Sequence, residues 1–434
     1  MLAPLGPGRG STVRWRARSA APGETGLTLI ELLVVAGILG ILAGVVVFAV
    51  GGAGDTGRAA ASATDAATVR AAEEAHCARF GTYATAPQLT GPADGSAGFL
   101  SSAPTSTGVV VVPGPDGGSC GGTGYVLGRS SGPQPTAGVA FAAASNTTPP
   151  FTFVQDDFRA SSGGRAVTFT FGASGTLATA VDQPANPTVL FAAADEANVN
   201  KVIATTDPVA GGTAGTCAGT CLGIGSTKRQ YANGRLVVFS CRAGGATLAP
   251  ASGAPGCKAP AGGYLARPPT SVHDVVSLLG ADPGLRLSIA DPGGPGHIPS
   301  ATPPSAPYGY AAYQALEAPV ASGGGGLTDA EYTTFIANGQ IVFGTNVTVT
   351  QTNVVAGAAD MALLPRSFVV SPGAADTDDW TVVPAGLHSP IRQWAVVLDK
   401  GDAGAQTLAR RFITYLVSPR AQAVMAGFGY DAIS

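Results

Sequence analysis

The stretch Ala166–Val181, AVTFTFGASGTLATAV, decides how this chain folds. Its first six residues, Ala166–Phe171, form an apolar and β-branched run that reads as a strand, and GASGTLATAV follows at once. Similar runs stand on either side. Val139–Ala144 (VAFAAA) ends at Ser145, and Pro187–Ala194 (PTVLFAAA) ends at Asp195. Strand runs spaced by longer segments predict an α/β architecture, a parallel sheet with helices on its faces.

The 434 residues suffice for two or three domains of ordinary size. Only 12% are charged and the net charge is −3, without long runs of one sign. Nothing in that balance points to nucleic acid as a partner. The four histidines, His76, His273, His297 and His388, are far apart and share no motif with a nucleophile or a metal-ligand spacing. GASGT lacks the first glycine of the nucleophile elbow. Catalysis therefore has no support, and no cofactor or metal is implied.

Well before the strand runs, Gly26–Val50 reads GLTLIELLVVAGILGILAGVVVFAV, with Glu31 as its single charge. About 20 apolar residues cross a bilayer, so this stretch is long enough to span. A carboxylate so near hydrocarbon costs several kcal/mol unless it finds a partner, which marks Glu31 as functional. Arg9, Arg14, Arg16 and Arg18 precede the span against one acid, Glu24. Basic flanks stay cytoplasmic, so the bulk of the chain is expected outside. GLTLIELLVV resembles the leader of type IV pilins and pseudopilins. The resemblance implies cleavage by a prepilin peptidase between Gly26 and Leu27, N-methylation of Leu27, and Glu31 as the fifth mature residue. That family usually begins with Phe, where this chain has Leu27. The new α-amino group would pair with Glu31 of a neighbouring pilin or pseudopilin subunit in a pilus or a type II secretion-like system. The plain alternative is a signal anchor with an incidental glutamate.

All six cysteines lie beyond the span, and an even number in an exported region reads as disulfides. Proximity alone favours Cys77–Cys120, Cys217–Cys221 and Cys241–Cys257. A zinc site on the last four is the rival reading, with no histidine nearby and an oxidising compartment against it.

Asp55–Phe80 is Ala-rich and free of proline, which favours helix, and Gly81 is a natural stop. Joined to the span, it would form a helix roughly 80 Å long at 1.5 Å per residue, interrupted near Gly51, Gly52 and Gly54. Val109–Val112 and Gly124–Leu127 read as strands of a small α+β head that needs a Cys77–Cys120 bridge. Ser130–Thr136 reads as a linker. The expected division is leader 1–26, membrane and assembly helix 27–50, helix continuation and head 51–130, linker 131–138, and a large domain over 139–434.

That large part carries a second resemblance, to the periplasmic molybdate-binding proteins of ABC transporters. It rests on FAAAS (Phe141–Ser145), TFTFGASGTLATAV (Thr168–Val181), VLFAAADEANVNKV (Val189–Val202), YANGRLVVFS (Tyr231–Ser240), LSIADP (Leu287–Pro292), APYGYAAYQALE (Ala306–Glu317), Phe343–Pro365, Val382–Gly401 and Ala409–Tyr430, in register. Two insertions, around Thr205–Gln230 and Cys241–Pro269, interrupt it and hold four cysteines. The resemblance implies a two-lobed class II periplasmic-binding-protein fold. Lobe 1 takes about 139–234 plus 386–434, and lobe 2 about 235–385. It also implies an oxyanion ligand, molybdate or tungstate, and an ABC permease as a partner.

Carried over by position, the ligand contacts are Ser145, Ser174 and the amides of Tyr308 and Val347. Helix N-termini and hydroxyls hold a dianion without lysine or arginine, and they select a fully deprotonated one, since a ligand proton would face another donor. Two departures stand out. Leu364 sits where the family often has a tyrosine, and Pro149-Pro150 stand where it begins a helix, so helix onset is expected to shift to Thr148. For an isolated serine, a helix cap is the ordinary role. The rival reading of the whole chain is a minor pilin whose large head serves adhesion or assembly without ligand.

Overall fold

The computed structural model describes residues 64–91, 98–102, 107–111, 120, 125–129, 138–241, 260, 265, 267–299, 304–370 and 379–433. Gly26, Leu27, Glu31 and the apolar span lie outside those residues, as do Cys257 and most of the expected linker. Among the described residues no helix is long and apolar enough to cross a membrane.

The N-terminal part is a small α+β unit. Helix α1, residues 64–80, buries Val69, Ala72, Glu73, His76 and Cys77, the spacing of one helical face. Gly81 ends it at φ +75°, its N–H donating to Cys77 O at 2.9 Å, the left-handed cap expected of glycine. After the short α2 (Ala86–Thr90), strands β1 (Thr107–Val111) and β2 (Tyr125–Arg129) pair antiparallel. A Cys77–Cys120 disulfide ties α1 to the segment before β2, with Cα atoms 5.7 Å apart. Glu73 is fully buried. Its Oε2 accepts the Ala84 N–H at 2.9 Å while, among the described residues, Oε1 has no partner, and burial pushes its carboxyl up to about 7.

From Val139 the chain builds β3 (Val139–Ala144), α3 (Thr148–Ser161), β4 (Val167–Gly172), α4 (Ser174–Val181), β5 (Leu190–Ala193), α5 (Glu196–Asn200) and β6 (Arg229–Gly234). It then forms β7 (Leu236–Ser240), α6 (Val272–Ala281), β8 (Leu287–Ala290), α7 (Pro307–Glu317), α8 (Asp329–Ala337), β9 (Ile341–Gly344), α9 (Val347–Val355), β10 (Met361–Pro365) and β11 (Trp380–Val382). It closes with β12 (Ile391–Val397), α10 (Ala403–Leu416) and α11 (Pro419–Gly427). One five-stranded sheet has the order β4-β3-β5-β12-β6, and the other β11-β7-β10-β8-β9. The chain passes between the sheets through Arg235 alone and returns over residues 383–390.

Both sheets are mixed, which corrects the expected parallel sheet. β3, β4 and β5 are parallel, as helix-linked strands must be, but β12 runs antiparallel to β5 and to β6. Likewise β7 opposes β10 and β11. Each of these strands arrives from the other lobe with no helix to restore its direction.

The first lobe's core is aromatic. Phe158 meets Phe412 edge to face at 4.9 Å, and Phe141, Phe151 and Phe169 pack around the same ring. Val126 of β2 belongs to this core. Gly128 lies so close that a Cβ there would stand 2.2 Å from the Phe153 ring. Leu236, Ile289, Tyr332 and Leu363 are central in the second lobe.

The insertion after α5 is pinned rather than loose. Cys217–Cys221 form a disulfide with Cα atoms 5.5 Å apart. Lys228, fully buried, donates to Glu196 Oε1, Asn200 Oδ1 and Thr213 O at 2.6–2.7 Å. Cys241 is also disulfide-bonded, and the expected partner Cys257 lies outside the described residues.

Candidate functional site

Ser145 follows β3, Ser174 opens α4 after β4, and Ala194 follows β5, so three parallel strands of lobe 1 deliver their carboxyl ends to one place. In an open α/β sheet that edge is where ligands bind. Lobe 2 supplies the starts of α7 and α9. The four positions carried over from sequence, Ser145, Ser174, Tyr308 and Val347, come together around a single small cavity. Ala144, Asn146, Gly172, Ala173, Pro307 and Asn346 are among its other walls. Small side chains and backbone therefore face the space, and none of the lining residues is charged.

Each donor is prepared by its own neighbourhood. The Ala194 N–H donates to Ser174 Oγ at 3.0 Å. That fixes the hydroxyl as acceptor toward β5 and leaves its proton free for the cavity. Ser145 is 3% exposed, and among the described residues its hydroxyl has no partner. As the two prolines dictate, α3 begins at Thr148, behind a 3-10 turn over Ser145–Thr147, and Ser145 does not cap it. Asn146 beside it is locked. Its Nδ2 donates to Gln393 Oε1 and to the Tyr430 oxygen, both at 2.8 Å, while its carbonyl accepts from Tyr430 and from Ser367 of lobe 2 at 2.7 Å.

In lobe 2, Asn346 caps α9 by accepting the Thr348 and Val349 N–H groups at 2.9 and 3.1 Å. The Thr350 N–H goes to Asn346 O. Among the described residues the Val347 amide is the first-turn donor of α9 left over, as a helix start requires. In α7, proline occupies the first position and Tyr310 makes the first intrahelical bond to Ala306 O, which leaves the Tyr308 amide similarly unused.

Leu364 is fully buried against Val237, Phe239 and Ala362 on the far side of its sheet and lines no part of the cavity. Asn346 was not singled out as a lining residue from sequence, although an asparagine before a helix is a legible cap signal. Asn146 gave no such signal, because its partners are more than 200 positions away. His388 half-buries at the return crossing, its Nδ1 2.8 Å from Ser389 O, apart from the cavity. Among the described residues no cluster of histidine, cysteine or acidic side chains could hold a metal ion.

Four helix or turn starts aimed at a space without charged walls can do one thing well: hold a small anion by neutral hydrogen-bond donors. Fold and cavity together fit a binding protein. Residues 139–431 match the family described as bacterial extracellular solute-binding protein, more than half of the chain, and the chain belongs to that family. Among its relatives is the molybdate-binding protein ModA of Azotobacter vinelandii, 27% identical over 294 residues, or 68% of this chain and 90% of that protein. Similar solved structures include the periplasmic molybdate-binding protein of A. vinelandii, with TM-score 0.49, 20% identity, and coverage of 68% of this chain and 100% of that one. The sulfate-binding protein SubI of Mycobacterium tuberculosis H37Rv has TM-score 0.42 and 18% identity, over 68% and 87% of the two chains.

Proposed function

We propose that this is an exported solute-binding protein for a small tetrahedral oxyanion, molybdate or tungstate first, held between the lobes by Ser145, Ser174 and the amides of Tyr308 and Val347. The observation that carries the reading is the convergence of these four donors on one uncharged cavity. Neutral dipoles suit a dianion that has already lost its protons, because the amide and hydroxyl protons of the site are donors to its oxygens. An ABC permease is the partner this ligand class implies. By the reading of Gly26–Glu31, prepilin peptidase would process the chain, which would then stay membrane-anchored or enter a pilus beside other pilin subunits.

Thermal melts of the full chain in detergent with molybdate, tungstate, sulfate or phosphate test the proposal. A ligand at a hundred times its Kd adds about 2.7 kcal/mol, a shift of several degrees. Stabilisation by one oxyanion, lost in Ser174→Ala, is the expected result. Cooperative melting unmoved by all four sinks the oxyanion reading and leaves the ligand-free pilin head, which the missing tyrosine at Leu364 and the amide-poor start of α3 would then explain.

A further inference from the structure

The two lobes touch across the mouth of the cavity through main-chain carbonyls just ahead of α7. The Gly175 N–H, in the first turn of α4, donates to Ser305 O at 2.9 Å. Asn198 of α5 donates from Nδ2 to Pro304 O at 3.0 Å, and from the same nitrogen to Asp195 Oδ2 at 3.0 Å. Both partners are acceptors, so the amide can face them only with its nitrogen. Its oxygen is consequently stranded: Asn198 is fully buried and, among the described residues, Oδ1 has no partner. An unpaired buried acceptor is costly, and a side chain serving lobe 1 alone has no reason to bear that cost. Gly175 adds a separate observation. A Cβ there would lie 3.0 Å from Ser305 Cα and 3.1 Å from Ser305 O, so the lobes approach as closely as they do only because residue 175 has no side chain.

We propose that Asn198 and Gly175 form the closing latch of the cleft, gripping the carbonyls of Pro304 and Ser305, and that the latch sets how long an oxyanion stays bound. The proposal rests on the oxyanion reading for its ligand but on its own contacts for closure. The coupling to the cavity is short. Gly175 is the neighbour of Ser174, and the Ser174 hydroxyl holds the N–H of Ala194, the residue before Asp195, which positions Asn198. On the other side, Pro304 and Ser305 lead within four residues to the Tyr308 amide. A ligand that draws Ser174 and Tyr308 together therefore brings both halves of the latch into register. Asn198 and Gly175 are positioning residues, with no place in the cavity wall.

The test measures the separation of the lobes directly, in the full chain, with spin labels on Ala160→Cys and Thr333→Cys, both at exposed positions. Asn198→Ala and Gly175→Ala are compared with the parent, without ligand and with molybdate. Both variants should lose closed population, and the apparent Kd should rise about three- to tenfold through faster dissociation at unchanged association. Gly175→Ala makes the sharper case, because alanine favours helix α4 itself. Its melting temperature should hold or rise while the cleft opens, a combination that a merely structural role does not produce. Variants that close as fully and release as slowly as the parent overturn the latch. If the parent binds no oxyanion, the oxyanion reading fails alone, and the latch is judged on the ligand-free distances. A closed fraction that falls on substitution then supports it. A parent open under every condition, or a closed fraction indifferent to both changes, overturns it.

Discussion

Ser145 and Ser174 occupy matching places at the ends of β3 and β4, yet they are wired differently. Ser174 Oγ holds the Ala194 N–H, whereas the Ser145 hydroxyl, beside the cavity, has no partner among the described residues. Ser174→Ala should therefore weaken oxyanion binding and also cost about 1–3 kcal/mol of stability, by orphaning a buried N–H. Ser145→Ala should weaken binding about 10- to 100-fold and leave the ligand-free melt unchanged, which calorimetry on the two variants will separate. Glu73 makes a prediction of another kind. Burial holds its carboxyl at about 7 against an ordinary value of 4.5, so the unfolded chain gives up this proton before the folded one does. Folding of the head is thus unaffected by Glu73 below about pH 4.5, is progressively weakened between 4.5 and 7, and carries the full penalty above. Glu73→Gln should abolish that slope, read as hydrogen exchange at the Ala84 amide from pH 5 to 8. The two serines were legible because each stands directly after an apolar strand run. Asn198 and Lys228 were not, since the carbonyl of Pro304 and the carboxylate of Glu196 come to them from 106 and 32 positions away.

Among the elements, α9 is the most exposed to a single change, because Asn346 both caps it and lines the cavity. Aspartate caps a helix as well as asparagine does, so Asn346→Asp should leave the melting temperature near the parent's. It also sets a carboxylate beside a bound dianion, and affinity should drop by about a hundredfold or more, recoverable only in acid. Equal affinity in that variant would place the anion elsewhere. The insertion after α5 depends in the same concentrated way on Lys228, and Lys228→Met should cost about 3 kcal/mol by leaving Glu196 and Thr213 O without their cation. Strand runs were read from apolar residues to within a few positions: Val139–Ala144 as expected, Ala166–Phe171 displaced by one, Pro187–Ala194 shortened to Leu190–Ala193. Strand direction was not readable this way. Apolar runs report burial on both faces, and the reversed β7 and β12 differ from their neighbours only in where the chain has come from.

For the molecule as a whole, the expectation of a head joined to the binding lobes by a linker misses a packed seam. Val126 lies in the first lobe's core, and Gly128 seats against Phe153. Removing the residues before 132 should uncover Phe153 and lower the stability of lobe 1 by about 2–3 kcal/mol, seen as an earlier melt of the shortened protein. Gly128→Ala should do part of the same damage in the intact chain by forcing the ring aside. The Cys77–Cys120 disulfide has a mechanical consequence as well. It joins residues 43 positions apart, so tension drawn along the chain from α1 passes through sulfur directly toward β2 and never loads the loop between. At ~3.5 Å per residue that loop stores roughly 150 Å of length. Pulled from its N-terminal side, the oxidised protein is a short, stiff tether. With the bond reduced, the same pull loads α2 and the β1–β2 pairing, and the molecule lengthens as they come apart.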